Sequence, residues 1–225
     1  MIVSHKHKFI FIKTRKTAGT SIEIALSKIC GKDDIISPIS PQDELMRKKL
    51  GIYAQNYNIP LGKYNRLNWA ELFLKFNRKI YYNHMPATEI REYVGENIWN
   101  SYYKFCFERN PFDKIISHYY NRHRDEDINI KSYIEKGHMR WIKGFDMYTD
   151  GGNVIVDKIY KYEHLDDALE DISRKIGCKV ELESYKAKGN FRKDRRNYSE
   201  ILSETEKEKI AIMFAREIKL LNYKY

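Results

Sequence analysis

The sequence predicts an α/β fold in which a central parallel sheet carries helices on both faces. Strand-length apolar runs, rich in β-branched and aromatic residues, occur at Phe9–Ile12, 79–82, 102–108 and 154–162. Segments with helical spacing of apolar residues follow these runs, and such alternation is typical of a sheet with crossover helices. The length of 225 residues and the apolar fraction of 42% suit a single domain, 1–225, with a sizeable core.

The first predicted strand leads into a loop and a helix that together form a candidate anion site. The loop has the sequence KTAGTS, from Lys16 to Ser21. Thr20 and Glu23 have the spacing of a capping box, which predicts that the helix begins at residues 19–21. A helix start offers unpaired backbone N–H groups and a positive dipole end to an anion.

The side chains of this loop add to the predicted anion site. Ala18 and Gly19 leave room for an anion to approach the backbone, and Lys16 adds a full positive charge. The hydroxyl donors are Thr17, Thr20 and Ser21. The loop is not a standard nucleoside-triphosphate loop, GxxxxGK[ST], because its lysine precedes the glycine. Taken alone, the segment fits equally well an ordinary strand-turn-helix whose serine and threonines merely cap the helix.

Composition restricts the partners and the compartment. The formal charge of +10 and the pI near 9.3 indicate anionic partners: nucleic acid, a membrane surface, a sulfated or phosphorylated sugar, or a polyanionic cofactor. No apolar run approaches membrane-spanning length and no cleavable signal precedes the first strand, so we expect a soluble, cytoplasmic protein. The three cysteines are far apart and odd in number, which argues against a disulfide framework or a CxxC metal site.

The middle of the chain supplies a candidate base. His84 follows the predicted strand 79–82 and precedes a helix that has Pro86 in its first turn. Ligands of open α/β sheets bind at the carboxyl ends of the strands, so we expect His84 to share an edge with the Lys16 loop. The alternative is a structural, hydrogen-bonded histidine.

A second candidate phosphate contact follows the predicted strand 102–108. Arg109 stands at the end of that strand, and Pro111 suits the first position of a helix over 112–123. Ser117 follows Arg109 by eight residues, in the second turn of this helix. A guanidinium fork together with a hydroxyl is a chemically sensible clamp for a phosphate.

The remaining segments contain fewer candidate site residues. Residues 31–65 are polar and interrupted by proline and glycine, and we interpret 31–78 as a variable, substrate-facing insertion. Further helices are predicted at 42–50, 68–76, 87–94, 130–136, Leu165–Ile176 and from a Ser203–Glu206 capping box to residue 221.

Two of these segments together resemble the sulfotransferases that use 3′-phosphoadenosine 5′-phosphosulfate (PAPS). KTAGTS resembles their 5′-phosphosulfate loop, and FERNPFDKIISHYY resembles their 3′-phosphate motif, in which an arginine and a serine eight residues later hold that phosphate. The branch that the chain resembles is the carbohydrate one with a catalytic histidine, of the heparan-sulfate 2-O type. The resemblance covers 9–21, the His84 region and 105–120 well, and the substrate-facing segments poorly.

The resemblance implies a P-loop-like sheet and a metal-independent transfer of a sulfuryl group from PAPS to a hydroxyl of a carbohydrate or similar acceptor. The product would be adenosine 3′,5′-bisphosphate, and the acceptor a glycan or glycolipid, with no specific nucleic acid. His84 and Lys16 are the implied catalytic residues. The implied donor-binding residues are Lys16, Thr17, Ala18, Gly19, Thr20, Ser21, Arg109 and Ser117, with Arg192 and Lys193 of the basic loop 186–196 as further candidates.

Elementary chemistry agrees with these roles. The ordinary histidine pKa of about 6.5 suits a base that takes a proton from an acceptor hydroxyl. Lys16 and the helix-start N–H groups would stabilise the leaving 5′-phosphate without a metal ion. Glu23 and Glu108 are reserve bases, although each has a simpler structural role.

Two other classes of protein remain open from the sequence. One is a P-loop kinase of a small hydroxylated substrate, which would need ATP and magnesium. The other is a noncatalytic RNA- or DNA-binding protein, suggested by the charge and by 18 tyrosines that could stack on bases. The tyrosines are scattered through predicted core segments, which favours packing over a stacking surface.

Overall fold

The centre of the molecule is a five-stranded sheet. The structure, a computed structural model, describes residues 1–122, 129–182 and 196–225. Within them the strands are β1 Ile2–Ser4, β2 Phe9–Ile12, β3 Ile35–Ile36, β4 Tyr103–Glu108, β5 Thr149–Asp150, β6 Asn153–Val154 and β7 Lys158–Lys161. The sheet has the order β3-β1-β2-β4-β7, and β5 pairs with β6 in a separate hairpin.

The sheet is parallel across β2, β4 and β7 and antiparallel at the edge formed by β1 and β3. Strands β2, β4 and β7 are parallel, with Phe11 opposite Phe105 and Cys106 opposite Ile159. Strand β1 runs antiparallel to β2, because a tight turn joins them and only an antiparallel pair can be connected so shortly. Strand β3 is also antiparallel to β1. The predicted α/β class is confirmed, with a sheet that is mostly rather than wholly parallel.

Helices follow the strands along most of the chain. They are α1 Gly19–Ser27, α2 Pro41–Lys49, α3 Arg66–Lys75, α4 Ala87–Val94, α5 Glu96–Ser101, α6 Pro111–Arg122, α7 Ile130–Glu135, α8 Leu165–Ile176, α9 Tyr198–Ile201, α10 Glu204–Met213 and α11 Ala215–Leu221. The capping box of Ser203 and Glu206 forms as predicted, and Gly177 ends α8 in a left-handed conformation. The predicted C-terminal helix is divided in two at Phe214.

Side chains of alternate strand residues pack into two hydrophobic cores, one on each face of the sheet. Phe9, Phe11 and Phe105 pack on one face with residues of α1 and α8. Ile10 and Ile12 pack on the other face with residues of α4 and α5. A third cluster joins α6, α7 and α10. The helices therefore lie on both faces, and both cores hold the carboxyl ends of β2 and β4 in place.

Two predicted strands are wrong in extent. Residues 79–82 form only an isolated bridge, between Ile80 and Asn58, so no sheet strand leads to His84. The predicted strand 154–162 is broken, because β6 turns back to pair with β5 and only β7 joins the sheet. Asp157 lies at the break, where its carboxylate accepts a hydrogen bond from the Lys104 N–H at 2.7 Å.

Among the described residues, no helix combines the length and the apolar character needed to cross a membrane. In the same part of the chain, no three His, Cys, Asp or Glu side chains are grouped as metal ligands would be.

Candidate active site

The loop after β2 has a backbone shaped by two left-handed residues. Lys16 and Ala18 have φ values of 62° and 56°, which are uncommon for residues other than glycine. Turns that alternate such conformations direct successive backbone N–H groups toward one concave side, where an anion can bind. Helix α1 begins immediately afterwards, at Gly19, so the positive end of its dipole faces the same place.

The N-terminus of α1 has no side-chain cap, and the predicted capping box of Thr20 and Glu23 is wrong. The N-cap residue is Ala18, which carries no hydrogen-bonding side chain. Glu23 is turned into the interior, where its carboxylate lies 2.8 Å from the Lys13 ammonium. Burial alone would raise the pKa of Glu23, but the amino group of Met1 and Lys13 lower it to about 2. The helix-start N–H groups thus depend on something other than a side-chain cap.

Gly19 is required by the packing of Lys13. The Lys13 side chain is buried and runs directly beneath the start of α1, toward Glu23. A Cβ atom added to Gly19 would lie 2.8 Å from Lys13 Cγ and 3.4 Å from the Thr14 carbonyl oxygen. The glycine therefore allows the start of α1 to pack closely on the buried Lys13 side chain.

Two buried threonines attach the loop to the neighbouring strand. The Thr14 hydroxyl donates to the carbonyl oxygen of Phe107 on β4, and it lies 3.0 Å from the Thr17 hydroxyl. Both threonines are buried. Thr17 could therefore bind a donor through its backbone N–H, whereas its hydroxyl is buried against Thr14. Lys16, Thr20 and Ser21 are partly exposed.

Arg109 lies beside this loop, at the carboxyl end of β4. One of its Nη atoms donates to the Lys16 carbonyl oxygen at 3.3 Å. The rest of the guanidinium binds Asp113, with Nε and Nη2 at 2.8 and 2.6 Å from Oδ2. Its Cζ atom lies over the Tyr162 ring, 4.4 Å from the ring centroid. The structure thus brings together the two predicted phosphate contacts, Lys16 and Arg109.

Asp113 is a site residue that the sequence reasoning missed. Its spacing of four residues from Arg109 is a visible signal, because side chains i and i+4 meet on a helix face. Ser117 lies a further four residues along α6, partly exposed on the same side of the helix as Asp113. Arg192 and Lys193, and nearly all of the basic loop 186–196, lie outside the described residues.

His84 reaches the loop by a hydrogen bond rather than by following a strand. Its Nδ1 lies 2.9 Å from the carbonyl oxygen of Lys13, and its backbone has a φ of 61°. In the neutral ring a donating Nδ1–H leaves Nε2 as the atom that can accept a proton. Burial, followed by the positive charges of Lys13 and Arg15, lowers the pKa of His84 to about 3. His84 is therefore neutral at physiological pH.

The two reserve bases are less suited to a reaction than His84. Glu108 is buried, forms an ion pair with Lys114, and has its pKa raised by burial. Glu23 is buried against Lys13, as described above. Both carboxylates form buried ion pairs that stabilise the fold around the site.

A cleft of about 290 Å³ opens beside the His84 segment. Tyr82 and Met85, which flank His84 in sequence, both line it. The Tyr82 hydroxyl donates to Glu89 at 2.9 Å, while Arg78 and Lys79 give the cleft a cationic side. His84 itself is not among the residues that line the cleft, so the cleft is a candidate acceptor site through its neighbours Tyr82 and Met85.

The fold and this site define an α/β protein with a candidate anion-binding loop at a strand-to-helix junction. The family model of the sulfotransferase family matches residues 1–144, which is more than half of the chain. The chain therefore belongs to the sulfotransferase family, and that membership supports sulfuryl transfer as its general activity.

Two individual proteins are similar to this chain. An uncharacterized protein of Archaeoglobus fulgidus is 39% identical over 119 residues, which make up 48% of this chain and 98% of that protein. The crystal structure of a sulfotransferase from Alicyclobacillus acidocaldarius aligns over 96% of both chains, with 14% identity and a TM-score of 0.38. That superposition is too loose to support an argument about this molecule.

Proposed function

We propose that the protein transfers a sulfuryl group from PAPS to a hydroxyl of a carbohydrate or similar acceptor. One observation carries the proposal: the uncapped N-terminus of α1 follows two left-handed residues, so that backbone donors and the helix dipole converge on one concave site. The residues present fit a bound phosphosulfate, because Gly19 lets the loop pack closely on Lys13 at the start of α1 and Lys16 adds a cation.

When bound, PAPS would supply the sulfuryl group and a 5′-phosphate leaving group. Lys16 and the backbone N–H groups of residues 17–21 would hold the anionic end of the donor. These groups are fixed in place by the packing of Gly19 on Lys13 and by the bond of Thr14 to β4. Preorganised donors of this kind stabilise charge that develops on a leaving oxygen without reorganising, so no metal ion is needed for that role.

Arg109 and Ser117 would hold the 3′-phosphate. Arg109 already contacts the Lys16 carbonyl oxygen, which places its guanidinium beside the loop. Asp113 holds that guanidinium in a fixed orientation through two hydrogen bonds, and its charge reduces the local excess of cations. A phosphate would share Arg109 with Asp113, since a guanidinium has five donors.

His84 would accept the proton of the acceptor hydroxyl at Nε2. The bond from Nδ1 to the Lys13 carbonyl selects the required tautomer and fixes the ring beside the loop. A pKa of about 3 makes a weak base. An anion held by the loop would offset the charges of Lys13 and Arg15 and so raise the pKa of His84, while the effect of burial, the largest cause, would remain.

A thermal-shift and unfolding experiment tests the donor. Adenosine 3′,5′-bisphosphate at about 100 times its dissociation constant should add roughly 2.7 kcal/mol to the stability of the folded state. Lys16→Ala should weaken this effect, since it removes a cation from the site. Lys28→Ala is the matched control, because it removes a lysine at the opposite end of α1, and it should keep the shift.

Other outcomes would favour the other classes of protein. A larger stabilisation by ATP that requires magnesium would replace the sulfotransfer proposal with a kinase. RNA binding with a steep salt dependence, together with no effect of the bisphosphate, would favour a noncatalytic nucleic-acid-binding protein.

A further inference from the structure

Helix α3 buries one polar side chain, Asn68, and exposes most of its large apolar side chains. Asn68 is buried, and its side-chain amide donates to the Tyr93 hydroxyl at 3.2 Å. Leu67, Phe73 and Leu74 are between 70% and 80% exposed. A helix that packs on a globular core has the reverse arrangement, so the outer face of α3 is not explained by the fold of this chain.

The apolar face extends past both ends of the helix. Phe76, the residue after α3, is 91% exposed, and Leu61 is exposed before it. Trp69 stacks on Phe73 with ring centroids 5.8 Å apart. We call this region the α3 surface; its residues are Leu61, Leu67, Trp69, Phe73, Leu74 and Phe76. Exposed large apolar side chains concentrated on one short stretch of chain are typical of an interaction site.

Cationic side chains border the α3 surface. Lys63, Arg66, Lys75 and Arg78 are all exposed. Glu71 is the single acidic residue in the sequence from 61 to 79, and it forms an ion pair with Lys79 at 2.7 Å. The surface therefore combines leucine, phenylalanine and tryptophan with an excess of positive charge. That combination is typical of helices that lie on anionic lipid surfaces.

The charge distribution distinguishes between possible occupants. A second copy bound by two-fold symmetry would bring the cationic borders of the two surfaces together, at a cost from like-charge repulsion. A nucleic acid or a sulfated glycan would satisfy the cations but would leave Leu67 and Leu74 in water. An anionic lipid surface satisfies both, because the headgroups meet the cations and the acyl region receives the apolar side chains.

We propose that the α3 surface docks the protein on an anionic membrane, with α3 lying in the plane of the interface. This inference goes beyond the proposed function and does not depend on it, since it rests on exposure and charge alone. Asn77 and Arg78 follow directly after the α3 surface and line the cleft beside His84. Docking would thus hold the lipid next to the candidate acceptor cleft.

Vesicle co-sedimentation of the full chain tests the proposal. The protein should bind phosphatidylcholine vesicles that contain phosphatidylglycerol, and added salt should weaken the binding. The double variant Phe73→Ser/Leu74→Ser should reduce the partition coefficient by about tenfold or more, because two apolar side chains that would enter the acyl region are removed. Its melting temperature should not fall, since both side chains are exposed in the fold.

Two further variants complete the test. Arg66→Glu/Lys75→Glu should abolish the preference for phosphatidylglycerol. Ile212→Ser removes an apolar side chain that is 80% exposed on α10, and as the matched control it should bind like the wild type. The proposal is overturned if the protein does not bind these vesicles at low salt, or if Phe73→Ser/Leu74→Ser binds as well as Ile212→Ser. A solution dimer that Phe73→Ser/Leu74→Ser dissociates would instead make the surface a self-interface.

Discussion

At the scale of single residues, His84 is held in a conformation that few residues adopt. Its φ of 61° lies in the left-handed region, which costs on the order of 1 kcal/mol for a residue other than glycine. The bond from Nδ1 to the Lys13 carbonyl oxygen, at 2.9 Å, offsets that cost and sets the ring beside the loop. The ring is thus positioned by a partner 71 residues away in sequence.

The lowered pKa of His84 predicts a specific loss of stability in acid. The folded-state pKa is about 3 and the ordinary value is 6.5, so between these pH values only the unfolded chain binds the proton. Stability is therefore unaffected above pH 6.5 and falls as the pH drops, by about 2 kcal/mol between pH 7 and pH 5. His84→Gln should lose correspondingly less over this interval, as measured by urea unfolding at the two pH values.

His164→Gln, which replaces an exposed histidine just before α8, is the matched control for this experiment. The pKa argument fails if His84→Gln and the wild type lose equal stability between pH 7 and pH 5. His84→Gln should also leave the affinity for adenosine 3′,5′-bisphosphate nearly unchanged, because the ring contacts the loop only through a carbonyl oxygen.

Arg109 offers a second prediction at this scale. Arg109→Ala should weaken binding of adenosine 3′,5′-bisphosphate by roughly 10- to 100-fold, because this is the usual loss of affinity when hydrogen bonds to a charged group are removed. Binding of adenosine 5′-phosphate, which lacks the 3′-phosphate, should change much less. Isothermal titration calorimetry with both ligands measures the difference.

The control for Arg109 is another arginine that pairs with an aspartate on a helix. Arg174 binds Asp171 at 2.6 Å on α8 and is mostly exposed. Arg174→Ala should bind both ligands like the wild type. Equal losses for the two ligands in Arg109→Ala would assign that residue a structural role through Asp113 and Tyr162.

At the scale of elements, the junction of β2 and α1 depends on an ion pair in its interior. Glu23 on α1 binds Lys13 at the end of β2, and both side chains are almost fully buried. Glu23→Gln would remove the counter-charge that the buried Lys13 ammonium shares with the Met1 amino group and Arg47, so we expect a loss of about 3–5 kcal/mol. Chemical denaturation of the variant measures this change.

An exposed pair tests whether burial is the cause. Lys179 and Glu181 lie 2.5 Å apart on the surface. Glu181→Gln should leave the melting temperature essentially unchanged, because exposed pairs contribute little. If Glu23→Gln were as mild as Glu181→Gln, the interior ion pair would not be what holds the loop on its helix.

At the scale of the whole molecule, the parallel half of the sheet gathers the site at one edge. The Lys16 loop follows β2 and Arg109 follows β4, and adjacent parallel strands end on the same side. Glu163, just after β7, accepts a hydrogen bond from the Asn110 N–H at 2.6 Å, which fixes the start of α6 beside that edge. This topology brings the proposed donor-binding residues Lys16 and Arg109 to the carboxyl edge of the sheet.

Tertiary contacts overrode several local signals. Thr20 and Glu23 have the spacing of a capping box, yet Glu23 turns inward because Lys13 needs a counter-charge in the core. Residues 79–82 have the composition of a strand, yet they make only a bridge to Asn58. In both cases the contact is made with a residue from another segment of the chain, Lys13 or Asn58. The spacing of neighbouring residues cannot predict such a contact.

The α/β class, the prediction of an anion site at the Lys16 loop and the order of the motifs could all be read from the sequence. These properties are local, since periodicity, helix-start chemistry and the spacing of Arg109 and Ser117 depend on neighbouring residues. The tertiary structure alone decided the inward turn of Glu23, the contact of His84 with Lys13 and the outward apolar face of α3. The reason is physical: burial and hydrogen-bond partners are set by segments that meet only after the chain has folded.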